Sequence, residues 1–425
     1  MVVKRNTASW HSLRRVTSGV LLAGLLATVS APAADSYYRT NVNPALLYWQ
    51  LMPSLPKDPE YLKWVDSYPT APLDARYKEF VQGWDFNFAI LRRAAAVTQA
   101  CDWGIDSADG PETRLPHLPQ VKSMAKAGAF RARYFLSQGK EDEAVQDLVA
   151  VTALARRLGN ESILISALVQ YAMESMVADA IAENFYAFSP EGLRRLVTAM
   201  DAIPLEGSIS QCIGKGERSF VVWYTRKIEA IQRAHSGHEA AALAAIRELF
   251  AETVSAAKDY TVADQFIAAG GGTSEGVLKL IRGANAWYEE LQAIAALPYA
   301  QFYPANQAFF AKVAASTNPF VVSLFPALEK ARGKEFRMEA RRAMLRAALA
   351  YRLRGAAGVE EVKDPFGTGP LGYRRFEVEK VDRGFELRTA GNFGNDFTEV
   401  CIFVEKPGAP FRSSGPKAGK AYVKP

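Results

Sequence analysis

The sequence is poor in the two side chains that most often bind transition metals or act as nucleophile and base. Three cysteines and four histidines occur among its 425 residues. Cys101, Cys212 and Cys401 lie far apart and form no CxxC pair, so their spacing excludes the common zinc and dithiol redox motifs. An oxidising compartment would permit one disulfide among these cysteines, but the sequence does not indicate which two of them would form it. We expect three separately buried thiols.

The sequence also lacks the features of two common functional classes. It has no G-x-S-x-G motif, and beyond the N-terminal segment it has three histidines, at 117, 235 and 238. Both observations argue against catalysis by a serine or cysteine with a histidine base. The formal net charge is +6, but residues 1–34 carry four basic residues and no acid, which leaves +2 on the remainder. So small a surplus predicts no nucleic-acid partner.

The first 34 residues have the pattern of an export signal. A basic stretch is followed by an apolar run from Val16 to Val29 and by the small residues of "APAA", which predicts cleavage near Ala33 or Ala34. The run is about 14 residues, shorter than the roughly 20 that span a bilayer as a helix. After cleavage we expect a periplasmic or extracellular protein with no further membrane span. The alternative is a retained N-terminal anchor.

Helical periodicity dominates residues 35–357. It predicts long helices over 74–100, 162–188 and 208–235. The region 117–158 is predicted to be a hairpin, with one helix closed by Gly139 and a second that has acids in its first turn and arginines in its last. Short connections between such helices favour antiparallel hairpins, stacked as a bundle or a short superhelix.

The pattern changes after residue 357. Alternation in "YRRFEVEKVDRGFELRT" predicts two strands around a turn at Asp382–Gly384, and "EVCIFVE" predicts a third. We therefore expect a small antiparallel β unit over 358–405. Residues 406–425 are rich in Pro, Gly, Ser and Lys, which predicts a disordered tail.

Two resemblances accompany these patterns. The stretches "CDWG.D...GPE..LPHL", "ALARRLG.ES.LISALV" and "DPFGTGPLGYR…GFELRT.G" resemble a group of uncharacterised exported helical proteins of planctomycete and verrucomicrobia type, which implies an exported helical protein but no particular activity. The segment from Asp364 to about Asn395 is also similar to the closing β segment of type II secretion pseudopilins. That second resemblance implies a β element that docks to a secretion or pilus-like assembly.

The loop "CDWGIDSADGPETRLPHLP" is the first candidate site, because four acidic residues fall within it. Asp102, Asp106, Asp109 and Glu112 offer the oxygen ligands that Ca²⁺ prefers, but their spacing is not that of an EF-hand. The competing interpretation is a connector, in which the Asp-Gly and Pro residues form turns. We favour the connector, and we predict no cofactor.

A second candidate set consists of acids on otherwise apolar helices. Glu174 and Glu217 are the weak catalytic candidates, since a pair of buried carboxyls is what glycoside hydrolysis requires. The competing interpretation is that arginines such as Arg218 neutralise these acids inside the fold. We favour this second interpretation.

Together these patterns favour an exported, non-catalytic helical scaffold or binding protein of the cell envelope. Its expected partner is another envelope protein or polymer. One alternative is an envelope hydrolase with a carboxylate-based site. The other is a component that docks to a secretion or pilus-like assembly through its C-terminal β unit.

Overall fold

The structure is a computed structural model that describes residues 41–66, 70–254, 260–325, 327–393 and 398–422. The predicted export signal at 1–34 lies outside the described residues. The fold class is confirmed: the described chain is mainly helical, with one three-stranded antiparallel sheet near its C-terminus.

The helices, in chain order, have these bounds: α1 Pro44–Leu51, α2 Pro59–Asp66, α3 Ala75–Gly83, α4 Asp85–Ala95, α5 His117–Ser137, α6 Glu141–Leu158, α7 Leu164–Glu183, α8 Pro190–Ala202, α9 Ile209–Cys212, α10 Arg218–Ala234, α11 Glu239–Val254, α12 Tyr260–Ala269, α13 Ser274–Ala295, α14 Tyr299–Ala314, α15 Pro319–Leu324, α16 Leu328–Arg354 and α17 Ala356–Glu360. The strands are β1 Gly372–Val378, β2 Val381–Asn392 and β3 Thr398–Val404.

The predicted hairpin at 117–158 is confirmed. Helix α5 ends at Ser137, and Gly139 takes a left-handed φ of 70°, as expected for the glycine that follows a helix. Helix α6 then begins at Glu141 with three acids in its first turn and two arginines in its last. Opposite charges at the two ends of the helix stabilise it through its dipole.

The single helix predicted over 74–100 is wrong, because two helices, α3 and α4, occupy this region. The chain bends at Trp84, whose φ and ψ are −100° and 0°, and this residue is completely buried. At the bend the carbonyl of Val81 accepts hydrogen bonds from the amide of Trp84, at 3.2 Å, and from the buried guanidinium of Arg131. With this carbonyl hydrogen-bonded at the bend, Trp84 and Phe88 are both completely buried in the core.

Helix α7 is the one described helix that could cross a membrane by length and composition. The sequence pattern predicted no such segment beyond the N-terminus. More than half of the relevant window, 56%, is buried inside the protein, and the same test is passed by core helices of soluble proteins. Helix α7 packs against α5, α6, α16 and β3 and so lies at the centre of the helical layers.

The sheet has the order β1-β2-β3 and shares a core with the helices. Phe385 of β2 and Phe403 of β3 stack on each other, and Phe185, which follows α7, packs edge-on against both rings. The described residues between 41 and 422 form one compact unit, so the β segment is part of the helical body.

The predicted turn at Asp382–Gly384 is wrong, because these residues lie within β2. The chain reverses instead at Glu379 and Lys380, which have positive φ values of 52° and 66°, as a two-residue hairpin turn requires. Gly384 is needed for a different reason, since a Cβ atom there would lie 2.0 Å from the carbonyl oxygen of Phe403 on the neighbouring strand.

The predicted disordered tail is wrong for residues 406–422. This segment, which we call the C-terminal strap, runs along β3, where the amide of Ile402 donates to the carbonyl of Ser413 at 2.7 Å. Phe411 is 5% exposed and packs on the β3 side chains. The hydroxyl of Tyr422 donates to Glu183 at 2.6 Å. The two aromatic side chains therefore hold a segment whose composition predicts disorder.

Candidate functional site

The acidic loop at 101–119 is anchored by Trp103. Its indole ring, 3% exposed, stacks on Tyr48 at 5.4 Å and on His117 at 4.7 Å. Its N–H donates to the carbonyl of Arg157 at 3.0 Å. These contacts fix the loop against α1, α5 and α6, as a connector requires.

The four acids of this loop are exposed and do not converge. The carboxylates of Asp102 and Asp106 accept hydrogen bonds from the amides of Gly104 and Ala108, both at 2.9 Å, so each closes a local turn. Asp109 and Glu112 belong to the next turn. The described part of the chain holds no group of three or more acids, histidines or cysteines arranged to bind a metal ion.

A histidine–acid pair does occur, at a position that the sequence analysis did not predict. Nε2 of His117 lies 2.7 Å from Oε1 of Glu161, and the hydroxyl of Ser166 donates to Oε2 of the same glutamate. His117 and Ser166 have no exposed surface, and the Glu161 side chain is 3% exposed. The Trp103 ring seals the histidine, so no substrate reaches this cluster.

The three thiols are buried and unpaired, as predicted. Burial raises the pKa of Cys101 and of Cys212 to about 12, and it also raises the pKa of Cys401. Since the thiolate is the reactive form, these cysteines are inert near neutral pH.

Glu174 is neutralised inside the helical body. Its carboxylate lies 3.3 Å from Arg156 and 3.4 Å from Arg342, and the amide of Gln170 donates to it at 3.1 Å. The Glu174 side chain is 3% exposed. Because its carboxylate contacts guanidiniums from two other helices and is buried, Glu174 links α6, α7 and α16 and is closed to a substrate.

Asp179, the next acid along α7, also pairs with an arginine and links separate parts of the fold. Asp179 lies 3.1 Å from the guanidinium of Arg341 and accepts a hydrogen bond from Ser414 at 2.6 Å. Arg341 also donates to Glu399 of β3 at 2.6 Å. Through these contacts Asp179 and Glu399 connect the sheet and the C-terminal strap to α16 and α7.

Glu217 differs from all of these acids. No hydrogen bond or ion pair to its carboxyl occurs among the described residues, and its neighbour Arg218 pairs with Glu289 at 2.8 Å instead. The predicted pairing of Arg218 with one of the candidate acids is therefore wrong. Burial alone raises the pKa of Glu217 from 4.5 to about 7. Near neutral pH this carboxyl exists in both protonation states.

A π-helical turn positions this carboxyl. Residues Ile213–Glu217 widen the helix between α9 and α10, where the sequence pattern predicted one regular helix over 208–235. Gly216 lets this turn pack closely against the start of α7, since a Cβ atom there would lie 2.2 Å from the carbonyl oxygen of Ser162. Single π turns within α-helices occur frequently at functional sites.

Glu217 lines an apolar pocket of about 310 Å³, which we call the Glu217 pocket. Its walls come from residues 107–115 of the acidic loop, from residues 163–168 at the start of α7, and from residues 216–220. Apart from Glu217, each lining side chain is apolar or a hydroxyl. The hydroxyls of Thr113 and Ser219 donate to nearby carbonyls, and Glu217 is the one ionisable group among the described residues that line the pocket.

A second and larger cavity of about 930 Å³ adjoins this pocket. It shares Ser107, Gly110 and Ser219 with the Glu217 pocket. Its charged lining residues are four cations and one acid, namely Lys215, Arg218, Arg226, Lys227 and Asp106, and we call it the basic cleft.

The sequence analysis predicted Glu217 as a candidate but missed its surroundings. One signal was available, because residues 215, 218, 219, 222, 223 and 226 follow helical spacing and combine three cations with Trp223. The pocket itself had no local signal, since it joins segments that lie more than 40 residues apart in the chain.

No protein-family model, curated protein or solved structure matches this chain.

Proposed function

We propose that the protein is an exported, non-catalytic binding protein of the cell envelope that holds an apolar group of its ligand in the Glu217 pocket. Export rests on the N-terminal sequence pattern. Binding rests on the pocket, which is lined almost wholly by apolar side chains and is of the size that encloses a small ligand group.

The observation that carries the proposal is the isolation of Glu217. A glycosidase needs two carboxyls that flank the scissile bond, and Glu217 is the one titratable group among the described residues that line the pocket. The other weak catalytic candidate, Glu174, is buried and is held by two arginines. A single carboxyl in an apolar pocket orients a ligand by one polar contact, which favours binding over catalysis.

The proposal is tested by displacement of a neutral fluorescent probe, N-phenyl-1-naphthylamine, from the purified protein by decanol. Ile165 is 49% exposed at the rim of the pocket, so Ile165→Glu places a charge there without disturbing the core. Loss of this apolar contact predicts an affinity for decanol lower by about tenfold.

Leu353→Glu is the matched control, because Leu353 is also 49% exposed but lines neither the pocket nor the cleft. It is expected to leave the affinity unchanged. Absence of saturable decanol binding, or equal losses in the two variants, contradicts the proposal.

A further inference from the structure

The Glu217 pocket and the basic cleft form one continuous site. Ser107, Gly110 and Ser219 line both, so a single ligand can occupy the two without leaving the protein surface. One half of this combined site is apolar, and the other half is lined by cationic side chains.

Three of the four cations in the cleft are available to a ligand. Lys215, Arg226 and Lys227 are exposed, and no ion pair engages them in the part of the chain that the structure describes. Arg218 is already neutralised by Glu289. Asp106, the one acid that lines the cleft, accepts a hydrogen bond from its own loop at the amide of Ala108.

The floor of the cleft is fixed by Trp223. Its indole N–H donates to the carbonyl of Ala108 at 2.8 Å, and the ammonium of Lys227 lies 5.2 Å from the centre of its ring. Gly110 lies so close to this ring that an added Cβ atom would be 2.4 Å from it. The acidic loop and α10 therefore hold the wall between pocket and cleft in place, and neither half needs to form on binding.

We propose that the ligand is an anionic amphiphile, whose alkyl chain fills the Glu217 pocket and whose phosphate, sulfate or carboxylate head group lies in the basic cleft. This inference rests on the proposed function and specifies the class of ligand. The charge of the cleft favours an anion over a cation, and the contiguity of the two cavities favours one amphiphile over two separate ligands.

The test compares four probes by isothermal titration calorimetry: decyl phosphate, decanol, decylammonium and inorganic phosphate, each below its aggregation concentration. Contacts with two or three exposed cations predict that decyl phosphate binds about tenfold more tightly than decanol, and that added salt reduces this difference. Decylammonium is expected to bind more weakly than decanol.

The variant with both Lys215→Ala and Lys227→Ala is expected to lose about tenfold in affinity for decyl phosphate and to keep its affinity for decanol. Its matched control carries Lys122→Ala and Lys279→Ala, which remove two exposed lysines outside the site. The control is expected to bind all probes as the parent protein does.

Three results overturn the inference. Equal affinities for decyl phosphate and decanol leave the proposed function standing but remove the anionic head group. Tighter binding of decylammonium reverses the sign of the ligand. Equal affinities for inorganic phosphate and decyl phosphate remove the alkyl chain. Failure of every decyl compound to bind is a different outcome, because it contradicts the proposed function itself.

Discussion

Glu217→Gln is expected to stabilise the protein at alkaline pH and to leave its stability unchanged at acidic pH. Burial raises the pKa of Glu217 from 4.5 to about 7. Between these two values the folded protein binds a proton that the unfolded chain has released, so its free energy of unfolding falls as the pH rises. Glutamine has nearly the same shape as protonated glutamate and does not ionise, so the variant avoids this loss.

The size of the effect follows from the size of the shift. A pKa difference of that magnitude corresponds to about 3 kcal/mol in the free energy of unfolding above pH 7. Because Glu217 is only half-buried, solvent screens part of this cost, and we expect a gain of about 1–2 kcal/mol in the variant at pH 8.5. At about pH 4.5 the two proteins should have equal stability.

The assay is equilibrium unfolding in urea across that pH range, with the difference between variant and parent taken at each pH. The difference removes the contributions of all other titrating groups. Glu79→Gln is the control, because Glu79 is exposed on α3, and its difference should stay near zero throughout. A flat difference for Glu217→Gln, or a variant that is less stable at pH 8.5, refutes the claim that this half-buried carboxyl has no partner in the protein.

Three further predictions concern the rest of the molecule. Glu174→Ala removes the carboxylate partner of the buried Arg156 and of the half-buried Arg342, and it should lower the free energy of unfolding by about 3 kcal/mol in urea. Glu112→Ala should change it little, and a small effect of Glu174→Ala would contradict its structural role. Deletion of residues 406–425 should make Cys401 reactive to a thiol reagent, while the far-ultraviolet circular dichroism spectrum stays that of a helical protein. Rapid labelling of Cys401 in the full chain would contradict the packing of the C-terminal strap over this cysteine. Calcium should leave the thermal midpoint unchanged, because Asp106 closes a local turn; a rise in the midpoint that chelation reverses would restore the metal interpretation.

The parts of the fold that the sequence predicted correctly depend on local physics. Gly139 and the charges at the ends of α6 identify the hairpin at 117–158, because a helix cap and a helix dipole act within a few residues. The break between α3 and α4 was not predicted, since the guanidinium that donates to the carbonyl of Val81 at the bend belongs to Arg131, 50 residues further along the chain. The order of the C-terminal strap was not predicted for the same reason, because Tyr422 donates a hydrogen bond to Glu183, 239 residues earlier in the chain.

In the candidate site, too, some features were predictable from the local sequence and others depend on long-range packing. Glu217 was recognisable as an acid on an apolar helix, but its isolation was not, because Arg218 beside it pairs with Glu289 of α13. For Glu174 the prediction of neutralisation by arginine is confirmed, although the partners are Arg156 and Arg342. Local pattern thus identifies which acids are unusual, and long-range packing decides which of them stays unpaired.

The central claim, that the Glu217 pocket binds the apolar part of a ligand, is tested most directly by photoaffinity labelling. The probe is an alkyl phosphate that carries a diazirine near the end of its chain, and the labelled residues are mapped by mass spectrometry. We expect saturable labelling within residues 163–168 and 216–220, which decyl phosphate suppresses by competition. Saturable labelling confined to other parts of the chain, or labelling that no competitor reduces, would contradict the claim.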